Sequence, residues 1–257
     1  NLATPEGRIL KAVRDRYEPV LGFNLHDQNR RTTVGESGRL ATIALLAVAG
    51  DPLGTMTAGR QRAKRAAAAV VAALEPLIGA SIARYDEDWS PRAFGDNITA
   101  WGTPVVLVES GGLPPGRPLS DLTRLNFVAF VSVLSALAAD DAAGHDPAVY
   151  ERLTRNRDDA FADVVLRGGR ILQGGGAPYR ADVAFDVQAP DASAWSCAGA
   201  SDAGRSRIVE IGDARFLAAG REVQAAGRLI VPALNLHQAP AALGDAACTL
   251  IEPIACL

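Results

Sequence analysis

The chain has 257 residues, 48% of them apolar and 21% charged, which excludes a disordered or collagen-like polymer and leaves room for one large or two smaller cores. A formal charge of −3 supplies no basic field for nucleic acid or anionic lipid. Cys197, Cys248 and Cys256 are too few for a disulfide scaffold and lack C-x-x-C spacing for zinc, while a single disulfide such as Cys248 with Cys256 stays open.

Thr4-Pro5-Glu6 is a helix start, with a Thr cap, Pro in the first turn and an acid behind it. Ile9, Leu10, Val13 and Tyr17 continue as a helical stripe that Pro19 ends. Val20 to Leu25 reads as a short buried strand that delivers His26-Asp-Gln-Asn-Arg30-Arg31 at its carboxyl end. A second strand is expected over Ala41 to Ala49, followed by a long Ala-rich helix over residues 57–78. Residues 79–100 are polar and irregular in pattern. Pro104 to Val108 is a continuous apolar strand ending in Glu109-Ser-Gly-Gly. The apolar stretch 119–139 predicts a helix buried on more than one side. Its charges, Asp121 and Arg124, leave no run of 18 uncharged apolar residues, so no membrane-spanning segment is expected. Helices alternating with apolar strands predict an α/β unit over residues 1–150, built on a mostly parallel mixed sheet with flanking helices.

The pattern changes after about residue 155. Short alternating runs at Val164-Val-Leu166, Arg170-Ile-Leu172, Asp182 to Phe185, Ile208 to Ile211 and Leu229 to Val231 predict a small all-β domain over residues 158–257, with Arg152 to Asp159 as linker. Gly174-Gly-Gly176 lacks a strand-then-helix context and reads as a turn rather than a phosphate loop.

In open α/β sheets ligands gather beyond the carboxyl ends of the strands. Two such ends carry reactive side chains, His26 and Glu109. An imidazole can bind a metal, and a carboxylate nearby can carry a proton from an attacking water to a leaving amine. A hydrogen-bonded structural His and a surface or capping Glu are the plain alternatives.

Gly22-Phe-Asn-Leu-His26-Asp-Gln-Asn-Arg-Arg resembles the segment of the zinc carboxypeptidase (M14 metallopeptidase) family that bears the third zinc ligand. Thr103-Pro-Val-Val-Leu-Val-Glu109-Ser-Gly-Gly resembles that family's strand ending in the catalytic Glu. The resemblance covers roughly residues 1–140 and implies the C-terminal half of a carboxypeptidase-like fold. It implies zinc as cofactor, His26 as a ligand and Glu109 as general base, acting on a peptide substrate. Arg30 and Arg31, beside His26, are candidates to pair with a substrate carboxylate through bidentate bonds, with a pair of solvated arginines as the alternative. Tyr85 lies where the family often has a substrate-capping Tyr, and Asp96 and Trp101 are candidates for lining a specificity pocket. Asp86-Glu87-Asp88 is read as a solvated face, with a calcium site as the alternative.

The family's other two ligands come from an upstream His-x-x-Glu, and no such motif precedes His26. The expectation is therefore a segment of a longer protein, inactive by itself. A zinc-dependent amide deacylase of the aspartoacylase or desuccinylase type and a non-catalytic peptide or cell-wall binder are the competing readings. A secreted or periplasmic location would suit the family. The tail, with Asp163-Val-Val-Leu-Arg-Gly-Gly-Arg-Ile-Leu and Ala226-Gly-Arg-Leu-Ile-Val-Pro, resembles the small β module of amidohydrolases, and its lone His237 suggests an accessory domain rather than a second active centre.

Overall fold

The computed structural model describes residues 2–85, 88–114, 117–139, 144–172, 176–188 and 205–230. The chain divides into two compact units, one drawn from residues 1–113 and 119–159, the other from 114–118 and 160–257. Cys197, Cys248, Cys256, His237, Asp86, Glu87, Gly174 and Gly175 lie outside the described residues.

The first unit opens with α1 (Pro5–Tyr17), where Thr4 Oγ1 accepts the backbone N–H of Gly7 at 3.2 Å. Then come β1 (Gly22–Asp27), β2 (Thr33–Val34), β3 (Ile43–Ala47), α2 (Ala58–Ile78), β4 (Ile82–Arg84), α3 (Phe94–Ala100), β5 (Val105–Ser110), α4 (Ser120–Ala138), α5 (Ala148–Glu151) and β6 (Asn156–Arg157). The main sheet has the order β1-β5-β3-β4. β1 runs parallel to β5 and β3 parallel to β4, but β3 and β5 are antiparallel. The sheet is thus mixed, with one of its three pairings antiparallel. The cause is the connection between β1 and β3, which has no crossover helix and reverses the chain, whereas α2 carries β3 over to a parallel β4.

Alternation along the strands sorts the two faces. Phe23, Val106, Val108, Ile43, Leu45, Ala47 and Ile82 face α2 and α4, and form the main core with Ala63, Ala67, Val70 and Leu74 of α2. The small Ala side chains let α2 lie close on the sheet. α4 adds Leu125, Ala129 and Val133, a stripe at helical spacing. Val128, Phe130 and Leu137 flank that stripe partly buried, whereas Phe127, Val131 and Leu134 are exposed, so burial on several sides does not occur. By length and composition α4 is nonetheless apolar enough to cross a membrane. α1 likewise presents Ile9, Val13 and Tyr17 to solvent.

The stretch 79–100, irregular in sequence, contains β4 and α3. Three residues are too few to show a strand period, and α3 lacks a side-chain N-cap. The expected linker is structured as well. Ala47 N–H donates to buried Tyr150 Oη at 3.1 Å, Lys64 pairs with Glu151, Arg84 N–H donates to the Thr154 carbonyl at 2.8 Å, and β6 pairs antiparallel with β2.

The second unit holds β7 (Phe161–Ile171), β8 (Tyr179–Gln188), β9 (Arg205–Gly212), a short 3-10 turn at Ala214–Phe216, β10 (Ala218–Gln224) and β11 (Leu229–Ile230). Its sheet order is β10-β7-β8-β9, with β11 also on β7. The runs at 164–166 and 170–172 belong to one strand interrupted between Leu166 and Gly169. Gly168 sits there at φ +67°, a left-handed conformation glycine adopts without strain, and its N–H donates to Asp182 Oδ1 at 2.8 Å. Arg167 straddles the irregularity, reaching Asp182 at 3.1 Å and Glu222 through Nε at 3.1 Å. β10 escapes the apolar pattern because Arg221 and Glu222 interrupt it.

Candidate functional site

β1 and β5 pair in register from Gly22↔Val105 to Asp27↔Ser110, which sets His26 directly beside Glu109. Neighbouring strands lie about 4.8 Å apart and register partners share a face. Two residues 83 positions apart in sequence therefore meet at the carboxyl end of the sheet. Their environments differ. Glu109 is 5% exposed, flanked by Ala44 on β3, whereas His26 is solvent-accessible on the outer strand. Asn24, two residues before His26 on the same face, has its Oδ1 3.1 Å from His26 Nε2.

The glycines after Glu109 are demanded by backbone crowding. A Cβ on Gly111 would fall 2.1 Å from the Ala41 carbonyl oxygen, and one on Gly112 would fall 2.2 Å from that of Arg30. Gly111 N–H donates to Thr42 O at 2.9 Å, Thr42 Oγ1 donates to Gly112 O at 2.9 Å, and Gln28 Nε2 donates to Ala41 O at 2.8 Å. These bonds fold the chain after β1 and the approach to β3 over the end of β5, which is how Glu109 becomes buried.

Tyr85 packs with Leu46, Leu107 and Ile98, on the sheet face that carries Glu109, and its N–H donates to Leu45 O at 2.9 Å. Arg31 takes a different direction. Its guanidinium pairs with Asp159 at 3.1 Å and its N–H donates to Asn29 Oδ1 at 3.0 Å, while Asn29 Nδ2 also donates to Asp159. Arg30 is exposed, with its backbone carbonyl packed against Gly112. The geometry thus joins His26, Glu109 and Tyr85 on one face and ties Arg31 to the end of the first unit. Asp96 is buried in α3, its Oδ1 accepting Ser90 N–H at 3.1 Å, and burial raises its carboxyl above the ordinary Asp range. Trp101 stacks under the Lys11 ammonium, 5.4 Å from the ring centroid. Neither the role of Asn24 nor that of Gly95 beside it was read from the sequence. The period of two along β1 is the signal that could have found Asn24.

A zinc site takes three protein ligands and an open position. Among the described residues no group of three or more His, Cys, Asp or Glu side chains converges. His26 and Glu109 offer one imidazole and one carboxylate, so these residues by themselves do not make a complete zinc site. A cavity of about 170 Å³ lined by Val34, Val71, Glu75, Ile82, Arg152 and Leu153 includes no residue of β1 or β5.

The first unit is thus a mixed α/β sheet with an acid–imidazole pair at one strand end, joined in sequence to a β module. Comparison with protein-family profiles, with curated proteins and with solved structures finds no match for this chain.

Proposed function

We propose that the first unit is part of a metal-dependent hydrolase of peptide bonds, of the carboxypeptidase-like kind. In this reading it contributes one imidazole ligand, His26, and the general base, Glu109. The remaining ligands would be residues other than those the described structure brings beside this pair. The observation that supports the reading is the register pairing of His26 with Glu109 at the carboxyl end of parallel strands, where such sheets bind ligands. Zinc, when bound, would supply Lewis-acid polarisation of the scissile carbonyl.

The protein's own part is proton handling. Glu109 is buried in a low-dielectric setting at the position in register with His26, and in this reading it takes a proton from the attacking water and passes it to the leaving amine. Tyr85 on the same face would help wall the substrate. The β module is read as accessory.

The test uses the protein with its complete reading frame, assayed for release of C-terminal amino acids. Glu109→Gln should lower kcat by about 10²–10⁴-fold, the usual contribution of a general base. His26→Ala should lower bound zinc as well as turnover. Full activity in Glu109→Gln would remove this residue from the reaction. Cleavage of small acyl amides with no cleavage of peptides would point to the deacylase alternative.

A further inference from the structure

The imidazole of His26 is held from within its own strand. Asn24 and His26 project from one face of β1, and Asn24 Oδ1 lies 3.1 Å from His26 Nε2. An amide oxygen accepts and cannot donate, so Nε2 carries the proton and Nδ1 of the neutral ring keeps its lone pair. Gly95 of α3 leaves room for that amide: a Cβ built there would lie 3.0 Å from Asn24 Nδ2. Gly95 is buried, and a side chain there would displace the amide.

We propose that Asn24 is the positioning residue of the site: it fixes His26 as the Nε2–H tautomer and leaves Nδ1 as the nitrogen available to a divalent cation, with Gly95 as its support. Only the cation half of this statement rests on the proposed function. The tautomer lock concerns the chain's own residues. Outer-shell partners of this type orient metal-binding imidazoles, and here the partner is in place within the protein itself.

The chain has three His residues, His26, His145 and His237, so ring nitrogens can be followed one by one in ¹⁵N-histidine-labelled protein. Two-bond ¹H–¹⁵N correlation spectra at mildly alkaline pH, with His26 assigned by His26→Gln, report which nitrogen is protonated. The wild-type ring should show the Nε2–H pattern alone. Asn24→Asp, which keeps an acceptor oxygen, should retain it, whereas Asn24→Ala should give a tautomer mixture. Gly95→Ala should shift the pattern the same way although it leaves β1 unchanged in sequence. An Nδ1–H or mixed ring in the wild type would overturn the proposal, as would a wild-type pattern in both Asn24→Ala and Gly95→Ala. Far-ultraviolet circular dichroism checks that each variant folds, and the wild-type spectrum decides even if one does not. A locked ring with unchanged hydrolysis in His26→Ala would sink the proposed function and spare the lock. A mixed ring with hydrolysis abolished in that variant would do the reverse.

Discussion

Glu109 owes its burial to neighbours that have no side chain. Gly111 and Gly112 let two carbonyls approach within 2.2 Å of where a Cβ would stand, so replacing either with Ala forces the covering chain outward. Each change should cost about 1–3 kcal/mol, the range for overpacking, measured by urea unfolding. An unchanged midpoint would contradict the crowding. Tyr150 makes a pH-dependent contribution whose sign follows from its surroundings. Burial raises its phenol, since the phenolate would be poorly solvated beside β3. Below about pH 10, the ordinary phenol value, folded and unfolded chains both keep the proton and the contribution is intact. Above it the unfolded chain releases the proton first, so stability falls as pH rises towards the raised folded value. Tyr150→Phe should flatten that alkaline slope. It should also cost about 1–3 kcal/mol at neutral pH by leaving the Ala47 N–H without its acceptor. An alkaline slope equal to that of the wild type would refute the assignment. The strand-end positions of His26 and Glu109 were legible in the sequence because each ends a largely apolar run and begins a polar one. The ion pair of Arg31 with Asp159 was not legible, because the two residues lie far apart in sequence.

Strands and helices differ in how openly the sequence announces them. α2 spans residues 58–78, close to the expected range, because Thr57 caps it, accepting Arg60 N–H at 3.1 Å, and 21 residues give the pattern time to show. Thr57→Ala should lower stability by about 1 kcal/mol, read from the thermal midpoint. β4 and α3 stayed hidden because neither is long enough to impose a period. The misjudged burial of α4 has another origin: an apolar helix tells how much surface it could bury, while the neighbouring elements decide how much it does. β1 shows the same principle at a sheet edge. Gly22 and Gln28 N–H groups point at β5, so the alternate residues Phe23, Leu25 and Asp27 turn their backbone groups away from it. Among the described residues nothing pairs with that side, and Leu25 beside it is exposed. Open apolar edges associate. Sedimentation velocity should show concentration-dependent association that Leu25→Lys suppresses; identical behaviour of the two proteins would count against an open edge.

The two units have separate cores, the first built on the mixed sheet and the second on the packing of β7 with β8, β9 and β11. The change from helix-and-strand to strand-and-turn pattern near residue 155 was visible because the spacing of apolar residues and glycines alters there together. Less visible was that residues 148–157 belong to the first unit, since a Tyr hydroxyl and a two-residue strand carry no period. The pairing of β1 with β5 also sets a timetable for a chain growing on the ribosome. His26 emerges 83 residues before Glu109, an interval of roughly 4–17 s at 5–20 residues per second. Throughout that interval β1 lacks the partner strand it has among the described residues, so nascent chains stalled between these two positions are where chaperones should be found holding on.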